Sequence, residues 1–520
     1  MKKIILALLC FVINISAQKL PEVFELGGNS LRKIQDENPG GNSIEEIVVV
    51  GDTIWLATGE GLSRSIDNGD SWTNYYGSEE FGTEQVSTLL YKNGIIYAAT
   101  WHSEEVAGSP SPTGSGYRYS SDGGETWTIV EQHLDTEADT LISYGSNIIK
   151  TEAQIRRGEN FIRSFGITNN TIWIASFAAG LRKSSDSGLT WEKVLLPPDN
   201  LDSIKPTDTL DFFAGPKRGS KGQLNYIVTA ILVINDSTLY VGTAGGINKT
   251  TDGGKSWVKF NSTNQTNPIS GNAIWRIRYN ESDNSIWAAT NNQEGATEFK
   301  AVSRTNNGGE SWETFLPGAQ TFDIAFLLRT GGSDIVVATA NGVYRSSNFG
   351  ASWTAAPEIF DNVTKVKIAS NNFRAVAVNQ KENVDEIWIG SVENGTARLT
   401  QTDELSWDGI WKVYLASEGL ENSNTAKAFP NPFAPSQEKI KIQFSTNNMD
   451  AEVSIRIFDF GMNLVKTLLQ NAPRTSAFDE YFEFWDGRNE NGKVVPNGVY
   501  FYRIDIGGND PLFGKIMVLN

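Results

Sequence analysis

Four aspartates occupy the same place in a recurring octapeptide: Asp67 in SIDNGDSW, Asp122 in SSDGGETW, Asp186 in SSDSGLTW and Asp252 in TTDGGKSW. A carboxylate fixed at one point of a polar turn could ligate a metal, move a proton or fasten the turn itself. Two further copies decide between these roles, because TNNGGESW and SSNFGASW place Asn307 and Asn348 at that position. Asparagine keeps the acceptor oxygen and gives up the charge. That suits bonds from backbone N–H groups and suits metal or acid–base work poorly. The glycine two positions later permits positive φ. The tryptophan ending each copy (Trp72, Trp127, Trp191, Trp257, Trp312 and Trp353) supplies a large ring to bury. The turns are read as fasteners.

Little else in the chain invites covalent or metal chemistry. Cys10 is the only cysteine, and His102 and His133 are the only histidines among 520 residues. No metal and no cofactor is expected, and serine–histidine triads have little to draw on. A net charge of −17 argues against a nucleic-acid partner, which would need a basic footprint. A glycoside hydrolase would need two carboxylates, about 5 Å apart for retention or up to about 9.5 Å for inversion. Glu104, Glu105, Glu152, Asp211 and Glu294 are available, and no spacing singles out a pair.

Seven strand-rich units position these turns. The six tryptophans recur 41 to 66 residues apart, and a degenerate seventh copy, TQTDELSW, ends at Trp407. Upstream of each turn lies a β-rich run such as IWLATGEGLSRS, LYVGTAGGINKT or IVVATANGVYRS. Before those come further apolar runs: IEEIVVV, VSTLLY, IRSFGIT, VTAILVI, IWRIRYN, IAFLLRT and FRAVAVN. Four antiparallel strands per unit and seven units predict an all-β chain, a seven-bladed β-propeller over residues 43–415.

The flanks are read separately. MKKIILALLCFVINISAQ has a basic start, an apolar run and small residues before Gln18, so residues 1–17 are a predicted secretory signal. Its apolar run is too short for a membrane span of about 20 residues. Residues 18–42 form an N-terminal extension. Residues 416–436, containing FPNPFAPSQ, are a predicted proline-containing linker. Residues 437–520 alternate like half-buried strands and predict a small Ig-like β-sandwich.

Insertion lengths locate a candidate ligand face. Trp127 to Phe161 spans 34 positions and Trp191 to Tyr226 spans 35, against 10 from Trp312 to Phe322. A third insert, WHSEEVAGSPSPTGSG, begins at Trp101. All three are expected on one face over the second to fourth blades, and loops on a rigid scaffold commonly carry function. They hold Trp101, His102, Tyr144, Arg156, Arg157, Arg163, Lys217, Arg218 and Lys221, with Phe212 and Phe213 nearby. Arginine forks take carboxylate or sulfate, and aromatic faces stack on sugars or side chains. An acidic glycan or an acidic protein segment would fit such a face. The alternative is that these cations pair with Asp199, Asp202, Asp208 and Asp211 and merely solvate long loops.

The pattern S/T-x-D-x-G-x-S/T-W resembles the Asp-box, or bacterial neuraminidase repeat, over residues from about 43 to 412. That family spans sialidases, xyloglucanases, sorting receptors and photosystem II assembly factors, so the resemblance implies the propeller and leaves activity open. No Arg-Ile-Pro segment of the sialidase kind occurs, and NFIRSFG with Arg163 is only a loose echo. The photosystem II assembly factor-like propellers are nearer in blade count, which implies a non-catalytic binding scaffold; a sialidase-like glycoside hydrolase is the alternative. The tail is similar to the C-terminal sorting domain of type IX secretion substrates and to the Ig-like domain of flagellar hook-capping proteins. The residues that carry this are FPNPF, FDFGMNLVKTL, WDGRNENGKVVPNGVYFYRI and GKIMVLN. It implies a Bacteroidetes-type source, type IX machinery as a partner, and secretion or surface attachment; the chain is expected to be a monomer.

Overall fold

The computed structural model describes residues 38–106, 109–402, 406–416, 425–429, 431–435, 439–447, 449–475 and 481–519. The predicted signal and most of the N-terminal extension lie outside them. The chain divides at residue 417 into two compact units.

In the larger unit seven sheets follow one another, each with four strands ordered as in the sequence, the fourth with one additional strand at its outer edge. Their innermost strands are Ile44–Val50, Gln85–Lys92, Ile162–Ile167, Val228–Val233, Ala273–Asn280, Thr321–Arg329 and Phe373–Lys381. Each packs against the next, and the last packs against the first, so the ring closes. The architecture is a β-propeller. Second strands such as Leu239–Thr243 and Ser285–Asn291 are buried along their whole length, because blades cover both of their faces. This explains their continuous apolar runs.

Among the described residues closure uses side-chain and backbone contacts between two separate sheets and not an exchanged strand. The first sheet is drawn from residues 44–74 and the seventh from residues 373–414. Trp72 is buried edge-on against Trp388 at 6.3 Å and Tyr414 at 5.7 Å. Lys412 pairs with Asp70 at 3.0 Å, and the Gly395 amide donates to the Asn42 carbonyl at 2.7 Å.

The repeated turns hold themselves. Ser65 Oγ donates to Asp67 Oδ1 at 2.8 Å and accepts from the Gly69 amide at 2.7 Å. Asp67 Oδ1 accepts the Ser71 amide at 2.9 Å, and the Ser71 hydroxyl donates to Oδ2. Asp122, Asp186 and Asp252 do the same with Thr126, Thr190 and Ser256. Where Asn stands, the last bond reverses: Asn307 Nδ2 and Asn348 Nδ2 donate to Ser311 and Ser352 at 2.9 Å. The backbone bond survives, from the Ser311 amide at 3.1 Å and the Ser352 amide at 2.9 Å.

Third-strand cations tie blade to blade. Arg64, Arg304 and Arg398 lie over Trp55, Trp287 and Trp388 of their own sheets. Arg64 and Arg398 also donate to Gly123 and Asn68, carbonyls in the turn of the following sheet, as Lys249 does to Gly308 at 3.0 Å. The degenerate seventh copy differs. Residues 403–405 lie outside the description, and two residues separate Trp407 from the outer strand Ile410–Tyr414, where the other tryptophans open theirs or directly precede it. It stacks on Trp411 at 6.2 Å and donates to the Thr354 carbonyl.

The smaller unit is a two-sheet sandwich. Ala426–Phe429, Ile440–Phe444 and Tyr481–Trp485 form one sheet; Ala451–Phe458, Leu464–Arg474, Gly498–Ile506 and Leu512–Val518 form the other. Phe433, Ile442, Ile455, Trp485 and Tyr502 share its core. The stretch expected as a linker therefore supplies a strand and a core residue, since Phe433 is buried and its amide donates to Met517. No helix among the described residues is long and apolar enough to cross a membrane.

Candidate functional site

Near its start every innermost strand carries a β-bulge, an extra residue that re-aims a side chain. The seven bulge residues are Glu45, Ser87, Arg163, Thr229, Trp275, Phe322 and Arg374. The fold repeats the position and varies the chemistry.

Most of these side chains join into a belt around the axis. Glu45 pairs with Arg374 at 3.2 Å, and Arg374 lies over the Phe322 ring at 5.5 Å. Phe322 meets Trp275 edge-on at 5.2 Å, and Arg163 lies over Trp275 at 5.4 Å. Arg163 also lies over Phe161 at 5.5 Å, and Phe161 stacks on Trp101 at 5.6 Å. Ser87 donates to the Ile162 carbonyl at 2.6 Å and Thr229 to that of Ile274, closing the belt with backbone bonds.

One to three residues further along the strands, ion pairs join distant and neighbouring blades. Glu46 of the first sheet bonds Arg276 of the fifth at 3.0 Å, and Arg278 bonds Asp323 of the sixth at 2.8 Å. Glu46 also accepts from Thr88 and the Leu89 amide. Burial pushes the Glu46 carboxyl up; Arg276, Arg278 and these bonds outweigh it and hold it below the ordinary range. Across both layers four guanidinia (Arg163, Arg276, Arg278, Arg374) face three carboxylates (Glu45, Glu46, Asp323), leaving one positive charge in excess.

No protein-family model matches the chain, and no curated protein does. Among solved structures it is similar to PorZ, a surface component of the type IX secretion system of Porphyromonas gingivalis. That match has 13% identity and a TM-score of 0.33, covering 91% of this chain and 65% of PorZ. It is similar to an ancestral GH74 enzyme with 12% identity and a TM-score of 0.49, over 92% of this chain and 63% of the enzyme. It also resembles YCF48 from Cyanidioschyzon merolae with 13% identity and a TM-score of 0.40, over 68% and 94% of the two chains. The chain thus spans somewhat under two thirds of the length of the first two.

The inserts do converge at the bulge end, though not as free loops. The Gly114 amide donates to the Arg157 carbonyl at 3.0 Å, joining the Trp101 hairpin to the second insert. Arg218 reaches Glu159 at 3.7 Å, and Lys217 pairs with Glu294 at 2.8 Å. Arg157 pairs with Glu131 at 3.1 Å, while Arg156 and Lys221 are exposed. The aspartates expected as partners do other work: Asp199 accepts the Leu224 and Asn225 amides, and Asp208 accepts the Lys205 amide.

Much of both inserts folds against the rim. Leu141–Tyr144, Asn147–Thr151 and Phe213–Ala214 make a small sheet, and Ser203–Ile204 extends the fourth blade. Tyr144 is the clear departure from a ligand role. It is buried in this rim core, and its hydroxyl donates at 2.7 Å to the Lys255 carbonyl of a repeated turn. Below the insert, buried Asp135 gathers Arg182 at 2.8 Å and Lys193 at 2.9 Å.

His102 is pinned. It lies 3.2 Å from Glu84, 3.1 Å from Glu104 and 2.9 Å from Ser115 Oγ. Ser115 gives its own proton to Glu84 at 2.6 Å, so the imidazole does not serve as its base. Partial burial opposes the charge, yet the two carboxylates raise the imidazole above its ordinary value. Of the nine sequence candidates, Trp101 and Arg163 enter the belt. Glu45, Trp275, Phe322 and Arg374 were missed because they lie in strands that read as apolar. The signal was the changing second or third letter of each innermost strand.

Proposed function

We propose that this chain is an exported propeller acting as a non-catalytic binding module for a glycan or protein partner. Its repeated turns are Asp-box turns. Its tail is an Ig-like type IX sorting domain that carries it to the cell surface or the medium. The observation that supports binding over hydrolysis is the state of the axial carboxylates. Glu46 and Asp323 are both engaged by Arg276 and Arg278, whereas a hydrolase needs an acid and a base free to exchange protons. Around them the same end offers basic and aromatic groups.

The test exposes the purified chain to a glycan panel that includes sialylated and sulfated polymers, reading retention and released reducing sugar in the same wells. Retention without release is expected. Sugar release that disappears with an insert carboxylate variant such as Glu104→Gln would overturn the reading in favour of a glycoside hydrolase. Deleting residues 418–520 should leave the propeller inside the cell if the tail is the sorting signal.

A further inference from the structure

Arg163 differs from every other axial cation. Arg374 has Glu45; Arg276 and Arg278 have Glu46 and Asp323. Among the described residues no hydrogen bond or ion pair reaches the Arg163 guanidinium. It is held between the Phe161 and Trp275 rings at 5.5 and 5.4 Å. Rings of this kind stabilise a cation through their faces and leave its edge N–H donors unused. The side chain is only half-buried, so those donors stay open to solvent or to a ligand. Burial draws its pKa down to about 10; Glu45 opposes this, and Arg276 and Arg374 add to it.

We propose that the mouth of the propeller axis is a carboxylate-binding site, with Arg163 as the fork that receives the ligand and Arg374 as its second cation. The assignment deepens the binding-module reading and rests on it. Three features define the ligand. The single excess positive charge of the two axial layers is neutralised by a monoanion, which favours a carboxylate over a phosphate dianion. The planar edge of a guanidinium matches a carboxylate bidentately. Trp101, stacked on Phe161 and part-exposed, adds an aromatic platform beside the fork, suited to a sugar ring. The ion pairs of Glu46, Arg276, Arg278 and Asp323 lie further along the same strands, where their cations already have carboxylate partners. The class is the acidic end of a uronate-bearing glycan.

Isothermal titration of the full chain with trigalacturonate tests this, alongside its methyl ester, neutral galactotriose and an acidic tripeptide of equal charge. Trigalacturonate should bind, and the ester and the neutral sugar should bind at least about thirtyfold more weakly, since each leaves the charged fork without its partner. Arg163→Gln should lose binding by a similar factor, Arg163→Lys should recover part of it, and thermal melting should confirm that both variants fold. Binding that survives Arg163→Gln but falls with Arg156→Gln and Arg157→Gln would overturn the axial site and leave the insert face as the binding surface. Equal or tighter binding of the tripeptide would overturn the glycan class. No binding by any carboxylate probe would overturn the proposal outright.

Discussion

The two ends of each blade follow opposite rules. At the turn end the same few atoms repeat: a hydroxyl, an Asp or Asn oxygen, a glycine and a tryptophan, joined by bonds two to four residues apart. At the bulge end the backbone repeats, but the residue in the bulge is Glu, Ser, Arg, Thr, Trp, Phe or Arg. Partners there are distant in sequence, such as Arg276 with Glu46 or Arg374 with Glu45. A repeat that keeps its chemistry at one end and varies it at the other marks the first as scaffold and the second as the place where this molecule is individual.

The comparison breaks most sharply at the crossed ion pairs. Glu46→Ala leaves Arg276 and Arg278 under-compensated inside the ring and should cost about 3–5 kcal/mol, read by urea denaturation. A smaller loss would mean that water reaches the axis. At the turn end Ser65→Ala removes the hydroxyl that serves Asp67 and Gly69 and should cost about 1–2 kcal/mol. Asp67→Asn should change stability at neutral pH by less than about 0.5 kcal/mol, since Asn307 and Asn348 already hold the same turn.

Acid should separate the two kinds of turn. Hydrogen bonds from Thr126 and Thr190 hold Asp122 and Asp186 low, Asp186 at about 2. For Asp67 and Asp252 partial burial pushes upward, and the bonds from Ser71 and Ser256 outweigh it. A depressed carboxyl contributes stability above its unfolded pKa, near 4, and loses it as pH falls toward the folded value. Between about pH 4 and pH 2, hydrogen exchange should therefore rise in the Asp turns of the first four blades and stay flat in the Asn turns of the fifth and sixth. His102 has the opposite sign. Its raised pKa stabilises the Trp101 hairpin below the ordinary histidine value, near 6.5, and exchange there should increase as pH climbs through the folded value. The smallest expected effect is on stability in Arg163→Gln, within about 0.5 kcal/mol, because that side chain has no ion pair to lose.

Legibility followed contact distance. The turns could be read because Ser65, Asp67, Gly69 and Ser71 meet within one short stretch of chain, as do their copies. The sixth apolar run was read from Ile324, whereas the strand begins at Thr321, so Asp323 fell outside the run although Phe322 had marked the approach to it. Tyr144 looked like a loop aromatic because nothing local shows that the hairpin bearing it lies against a turn more than a hundred residues away.

The sequence by itself determined the repeat, the four-strand unit and its fasteners, since these depend on alternation, glycine positions and bonds between near neighbours. Only the tertiary structure decided which side chains share the axis. Ring closure brings the first innermost strand against the last, and it sets Glu46 beside Arg276 from 230 positions away. Arg163 acquires its meaning the same way. It is an ordinary charged residue in IRSFGIT until the fifth blade places Trp275 across its guanidinium and every nearby carboxylate is already taken.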